Sequence, residues 1–288
     1  MKPAPFTWHA PSDSAHALAL KAEYGEDARF LAGGQSLVPA MNLRMAQPAV
    51  VIDLNLLDDL RGLAATETGG LRIGAMTRYA AIERSPAMAS HPILREALAG
   101  LAHPQIRNRG TLGGNLAHAD PASEMPALMC ALLAEFVVWS VRGRRTIAAR
   151  DFFIGPLTTA LAPDEMMAEI QIPPLPPGSG TAFLKMSRRR GDYALMGIAA
   201  MVTRDADGRC LDARLACCSA GPTPVVAGQA AAALVGRSIG HHELVAAAAC
   251  LRQEIDPMGS VHATPAYQRH LAGVLAARAV RLAWERAA

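Results

Sequence analysis

Two glycine pairs carry the chemistry this sequence offers. The first is Ala32-Gly33-Gly34-Gln35-Ser36-Leu37; the second is Gly110-Thr111-Leu112-Gly113-Gly114-Asn115-Leu116. Adjacent glycines lack Cβ atoms and tolerate positive φ, so successive backbone N–H groups can converge on one phosphate oxygen, with the Ser36 or Thr111 hydroxyl adding a bond. The first pair also precedes a helical stretch, whose N-terminus favours an anion. Either pair alone reads more readily as a plain turn. Together they suggest two separate loops gripping one pyrophosphate. Neither has the G-x-G-x-x-G spacing of a Rossmann turn or the pattern of a Walker A loop, which disfavours both of those sites.

Hydrolysis finds no footing. The chain has no G-x-S-x-G elbow, no H-E-x-x-H run and no carboxylate pair at a spacing that argues for glycosidase chemistry. Its five cysteines, Cys130, Cys210, Cys217, Cys218 and Cys250, include no C-x-x-C pair. Reduced thiols, no disulfide framework and no metal cluster are expected. Met125, Met129, Met166, Met167, Met196 and Met201 have apolar neighbours and read as core filling.

The elements that must position the loops follow from periodicity and punctuation. Phe6 to His9 reads as a strand. A helix capped by Ser12 or Asp13 and stopped by Gly25 follows, and Ala28 to Ala32 then runs as a strand into Gly33-Gly34. A helical stretch from Leu37 to Arg44 and the strand Val50 to Leu54 complete an α/β unit. Next come a strand at Leu71 to Gly74, a helix from Thr77 ending before Pro86, and a helix from Ile93 to Leu101. Asp120-Pro121 opens an apolar helix through Met125, Leu128 and Leu132, followed by strands at Phe136 to Val141 and Arg145 to Ala148.

The proline-rich run from Ile172 to Gly180 reads as a stiff linker and a domain boundary. Beyond it lie strands at Ala182 to Ser187, Leu195 to Thr203 and Arg214 to Ser219, then alanine-rich helices. The last of these is capped by Thr264. At 288 residues, 51% hydrophobic and 18% charged, the chain can bury two or three compact units. A net charge of +3, from 28 basic and 25 acidic residues, suggests neither nucleic acid nor membrane as a partner. No leader and no membrane span is apparent, so a cytoplasmic location is expected.

Three stretches resemble the FAD-binding medium subunits of the xanthine dehydrogenase and carbon monoxide dehydrogenase group. They are Ala32-Gly33-Gly34-Gln35-Ser36, the long run from Gln105 to Pro121, and Tyr267-Gln268-Arg269-His270-Leu271. The resemblance covers nearly the whole chain. It implies an α+β fold: a two-part FAD-binding domain of the vanillyl-alcohol oxidase (PCMH-type) kind over residues 1–175, with subdomains of about 1–56 and 57–175, then an α+β domain over 176–288 that covers the flavin.

It further implies that the two glycine loops hold the FAD pyrophosphate, with Ala32, Leu37, Ile106, Ala117 and Leu161 among the cofactor contacts. Glu124 resembles the carboxylate that binds FAD hydroxyl or ring groups, assisted by Asp120. Lys185 resembles a lysine near the flavin ring, and Tyr193 the aromatic packed over it. Each has a plainer reading. Lys185 stands on a strand beside Arg188, Arg189 and Arg190 and could be a solvated charge. Tyr193 could be a half-buried aromatic, and Glu124 a carboxylate favoured by a helix first turn. His103 and His118 flank the second loop as lining residues at best. Arg107, Arg109 and Arg188 to Arg190 could meet FAD phosphates, an acidic partner face or only water.

Function is then implied by a cofactor. The family places substrate oxidation at a molybdenum cofactor on a large subunit, with [2Fe–2S] clusters on a small subunit and assembly as a dimer of heterotrimers. This chain has no cysteine pattern able to hold such clusters, so it needs those partners. Two alternatives stand beside this one: a stand-alone FAD-dependent oxidoreductase of the same superfamily, and a flavin-free structural subunit.

Overall fold

The computed structural model describes residues 1–287; the final residue of the 176–288 unit lies outside them. The chain opens with a parallel sheet of β1 (Thr7–His9), β2 (Ala28–Leu31) and β3 (Val50–Asp53), in the order β1-β3-β2. Helix α1 (Ser14–Tyr24) connects β1 to β2. Asp13 caps it by accepting from the His16 N–H at 2.8 Å, and Gly25 ends it at φ +51°. Ala17, Leu18 and Leu20 bury their side chains in one cluster with Ala28, Val50 and Ile52. Helix α2 (Leu37–Asn42) follows β2 almost at once, so the first glycine pair occupies a strand-to-helix turn.

A second sheet contains β4 (Leu63–Ala65), β5 (Leu71–Gly74), β6 (Glu135–Ser140) and β7 (Gly143–Ala148). A separate hairpin, β8 (Phe153–Gly155) with β9 (Thr158–Thr159), precedes β10 (Met166–Ile172). The sheet order is β4-β5-β10-β6-β7, antiparallel throughout. Strand β10 has two buried faces. Met167, Ile170 and Ile172 face the main core, while Met166 and Ala168 join the core of the first unit. Six helices lie around this main core: α3 (Tyr79–Arg84), α4 (Pro92–Gly100), α5 (Pro104–Arg107), α6 (Leu112–His118), α7 (Glu124–Ala131) and α8 (Ala149–Phe152).

The third sheet, β11 (Ser179–Met186), β12 (Met196–Arg204), β13 (Cys210–Cys218) and β14 (Val225–Val226), is antiparallel in chain order. After α9 (Gly228–Ala232), helices α10 (His241–Glu254) and α11 (Pro265–Arg286) share a core with Ile198, Ala200 and Val202. The alternate residues Ala199 and Met201 point the other way, into the core that contains α7. Helix α7 is buried at all eight positions, which its uniformly apolar sequence after Glu124 allows. No helix is long and apolar enough to cross a membrane among the described residues.

Three sequence expectations need correction. The helix expected from Thr77 begins at Tyr79, because the Thr77 hydroxyl donates to the Gly62 carbonyl at 2.8 Å and accepts from its N–H at 3.0 Å. The helix expected from Asp120-Pro121 begins at Glu124. The Asp120 carboxylate accepts from the Ala122 N–H at 2.9 Å, closing an Asx turn before the helix. Ser179 and Gly180 belong to β11, not to the linker. Gly180 stands where a side chain would collide with the α11 backbone at Ala283.

Candidate functional site

The two glycine loops touch. A Cβ on Gly33 would sit 2.7 Å from the Gly110 Cα and closer still to the Arg109 carbonyl oxygen. A Cβ on Gly114 would sit 2.8 Å from the Thr111 hydroxyl oxygen and 3.1 Å from the Ala32 Cβ. Gly113 packs on Ala75, to whose carbonyl its N–H donates at 2.9 Å. The glycines are thus demanded first by the close approach of backbone to backbone, and only Gly34 (φ +73°) requires the left-handed region.

The loops differ in what they can still bind. In the second, N–H groups are taken: Leu112 donates to Thr77 O, Gly113 to Ala75 O, Asn115 to Thr111 O and Gly114 to Thr111 Oγ1. In the first, the N–H groups from Gly33 to Leu37 meet no protein acceptor among the described residues. Donors at the start of a helix, left for an anion, are what a phosphate cradle requires. Thr111 Oγ1 acts as acceptor in its cap, so its proton remains to be donated. Gln35 folds back, its Nε2 donating to Gly33 O at 3.1 Å. One residue that sequence reasoning missed, Asn55, braces this loop: it donates from Nδ2 to Ala32 O at 2.8 Å and to Asp53 Oδ1 at 2.7 Å. An Asp-x-Asn at the end of a strand was the available signal.

The other predicted residues are placed as follows. The Glu124 side chain is buried and its Oε1 accepts from Lys185 Nζ at 2.6 Å. Lys185 also donates to Gly100 O at 2.8 Å and Asp192 O at 2.9 Å. With its side chain 8% exposed it is no solvated charge. Tyr193 is 59% exposed; the protein atoms around its hydroxyl, then the Asp120 and Glu124 carboxylates, push the phenol up to about 12. Asn115 Oδ1 accepts from the buried Ser123 hydroxyl at 2.9 Å. The exposed His103 packs against Gly191 in the loop before Tyr193. Ile106 contributes its carbonyl, which accepts from Gly110 N at 2.6 Å. Ala117 is exposed on α6, and Leu161 is half-buried after the β8–β9 hairpin.

Strain gathers here. Ala102, Ala119, Leu157 and Ser219, none of them glycine, have φ between +47° and +58°. Leu157 N donates to Ala119 O at 3.0 Å, and Ser219 N donates to Pro121 O at 2.8 Å, so three of these strained residues flank Asp120. Such backbone persists where surrounding structure enforces it, commonly around binding sites. Arg107 supports Ala102 by donating to its carbonyl at 2.9 Å and to that of Leu101 at 3.0 Å. This arginine is structural. Arg188 donates to His262 Nε2 at 2.9 Å and Arg190 to Ala99 O at 3.3 Å, while Arg109 is exposed. Tyr79, whose ring lies 3.4 Å from where a Gly110 Cβ would be, has a buried hydroxyl with no partner among the described residues.

Residues 4–175 match the family described as the FAD binding domain in molybdopterin dehydrogenase. Residues 181–283 match the CO dehydrogenase flavoprotein C-terminal domain. The carbon monoxide dehydrogenase medium chain of Hydrogenophaga pseudoflava is 38% identical over 289 residues, covering 100% of both chains. The 6-hydroxypseudooxynicotine dehydrogenase complex subunit alpha of Paenarthrobacter nicotinovorans is 39% identical, covering 100% of this chain and 97% of its own. Among solved structures, a chain of the Hydrogenophaga pseudoflava carbon monoxide dehydrogenase superposes with a TM-score of 0.96 at 39% identity, over 100% of each chain.

Proposed function

Because the chain belongs to the FAD-binding medium subunits of the molybdenum hydroxylase family, we propose that it passes electrons from [2Fe–2S] clusters of a small partner subunit through FAD to an external acceptor. Its relatives are medium subunits of multi-subunit complexes. Here the partners would be that small subunit and a large molybdenum-cofactor subunit, assembled as a dimer of heterotrimers. Two relatives of nearly equal identity are named for carbon monoxide and for 6-hydroxypseudooxynicotine, which fits a substrate handled on another polypeptide. A cytoplasmic location belongs to the same proposal and accords with five free thiols. So does the division into 1–175 and 176–288, supported by the 173–178 segment between β10 and β11.

One observation carries the binding mode: the N–H groups of Gly33 to Leu37, left without protein acceptors among the described residues, on a loop seated against Gly110. They would hold the pyrophosphate, with Ala32, Gly34, Gln35 and Ser36 shaping the loop. The Thr111 hydroxyl would donate from the second loop, with Gly113, Gly114 and Asn115 forming its wall. Glu124, with one oxygen held by Lys185, would present the other to a ribityl hydroxyl or ring N–H, and Asp120 would assist. Tyr193 would lie over the ring, with Ile106, Ala117, Leu161 and His103 at the rim. When bound, FAD supplies the conversion between one- and two-electron transfer. The side chains need only orient it, tune it by hydrogen bonds and charge, and limit water. Purification from co-expression with both partner subunits tests the reading. Stoichiometric FAD released on denaturing the complex is expected, and a complex that releases no flavin would refute it.

A further inference from the structure

Lys185 lies on β11, one residue from its end, and its ammonium group reaches three separate elements. It donates to the carbonyl of Gly100, the last residue of α4, at 2.8 Å. It donates to the carboxylate of Glu124, the first residue of α7, at 2.6 Å, and to the carbonyl of Asp192 at 2.9 Å. A lysine has three protons and no acceptor. All three are engaged inside the protein, which leaves none for a ligand. The Asp192 carbonyl belongs to the peptide that leads into Tyr193, so this contact fixes the aromatic at its backbone.

The segment held this way has few other ties. Leu195 N donates to Met186 O at 2.8 Å across its base. The Ser187 hydroxyl donates to Arg189 O at 2.8 Å, Arg188 meets His262 on the surface, and the exposed Arg190 donates to Ala99 O on α4 at 3.3 Å. Gly191 turns at φ +92° beside His103. Between these ties stand Arg188, Arg189 and Arg190, all exposed. A chain that leaves β11 at Met186 and returns to β12 at Met196 is tied at its far end by the Ser219 hydroxyl on Ala194 O at 2.6 Å and by Gln268 Nε2 on Leu195 O at 3.0 Å; within 187–192 its buried anchor is the Lys185 ammonium.

We propose that Lys185 is a positioning residue: it clips the 187–192 loop to Glu124 and α4, and so sets where Tyr193 stands at the flavin site without touching the flavin itself. The assignment rests on the FAD reading above only for what Tyr193 faces; the clip is a property of the chain. It also gives Glu124 a fixed direction, since one of its oxygens is held and the other is left for the site.

The test compares the full-length chain with Lys185→Met, and Glu124→Gln with Glu124→Gln/Lys185→Met. The second pair removes the lysine without stranding a buried charge. Three quantities are read: tryptic cleavage after Arg188, Arg189 and Arg190 by mass spectrometry, FAD affinity, and visible circular dichroism of the bound flavin, with Tyr193→Ala as reference. Loss of the lysine should raise cleavage at the three arginines at least about tenfold, as cleavage follows the open population. FAD affinity should stay within about threefold of the parent, a small effect on the scale where tenfold is one step. The flavin dichroism should move to that of Tyr193→Ala. An unchanged cleavage rate in both comparisons overturns the proposal, and so does a tenfold loss of FAD affinity with the loop still resistant, which would make Lys185 a flavin contact. Cleavage is also read on flavin-free chain, so the clip is judged separately from the binding-site reading, which the complex decides.

Discussion

Gly33 rests on Gly110, with 2.7 Å between the place a Gly33 Cβ would occupy and the Gly110 Cα. One methyl group on Gly33 must therefore part the two loops. Gly33→Ala is expected to lower stability by about 1–3 kcal/mol, as overpacking does, and to abolish stoichiometric FAD in the purified complex. Gly100→Ala is the control. Its Cβ would meet Lys185 Cε at an ordinary 3.6 Å, and it should keep its flavin. FAD released on denaturation and thermal unfolding decide between them.

Glu124 and Lys185 form a buried pair, their side chains 6% and 8% exposed. Removing one partner strands the other, at a cost of about 3–5 kcal/mol. Lys185→Met should show this loss in urea unfolding. Glu124→Gln/Lys185→Met, with no charge left behind, should recover much of it. A double variant no more stable than Lys185→Met would mean that the pair's hydrogen bonds, and not the stranded charge, dominate.

Tyr79 presents the opposite case. Its hydroxyl is buried without a partner among the described residues, and burial raises its pKa well above the usual 10. An unpaired buried hydroxyl costs about 1–3 kcal/mol, so Tyr79→Phe should leave the melting temperature of the flavin-free chain unchanged or higher. Tyr79→Leu, which removes the ring behind Gly110, should lower it. A clear drop for the phenylalanine variant would reveal a bonding partner for the hydroxyl.

His91 is fully buried, with Nε2 donating to Pro173 O at 2.9 Å and Nδ1 2.9 Å from the Ser90 hydroxyl. Burial lowers its pKa below the ordinary 6.5. The unfolded chain therefore takes up a proton that the folded chain resists. Stability should fall as pH drops through 6.5 towards the depressed folded value, then level off. Melting curves between about pH 7.5 and about pH 5 should show this slope, and His91→Gln should reduce it.

Much of the scaffold was legible because local signals agreed with tertiary structure. Val50-Val51-Ile52 reads as a strand and is one, and Gly25 stops α1. The failures have physical causes. Helix α6 runs through Gly113 and Gly114, the poorest helix formers after proline, because close packing on Ala75 and Ala32 outweighs propensity. Strand β10 begins Met-Met-Ala-Glu, with no alternation to betray it, since it is buried on two faces. At the site, the glycine pairs were visible from composition, but not that only the first keeps free donors. Lys185 beside three arginines suggests a solvated surface. Two of its three acceptors lie 85 and 61 residues away along the chain, at Gly100 and Glu124, and only the fold brings them together.

The third sheet has its two faces sealed by partners that precede and follow it in the chain, α7 on one side and α10 with α11 on the other. A ribosome that has released the chain as far as Pro177 has thus made α7 but not the strands that cover it. The nascent first half carries an exposed apolar helix, a sticky surface that invites association until β12 and β13 emerge. The halves can be told apart as stretches of sequence, yet neither can be moved to another protein without exposing what the other covers.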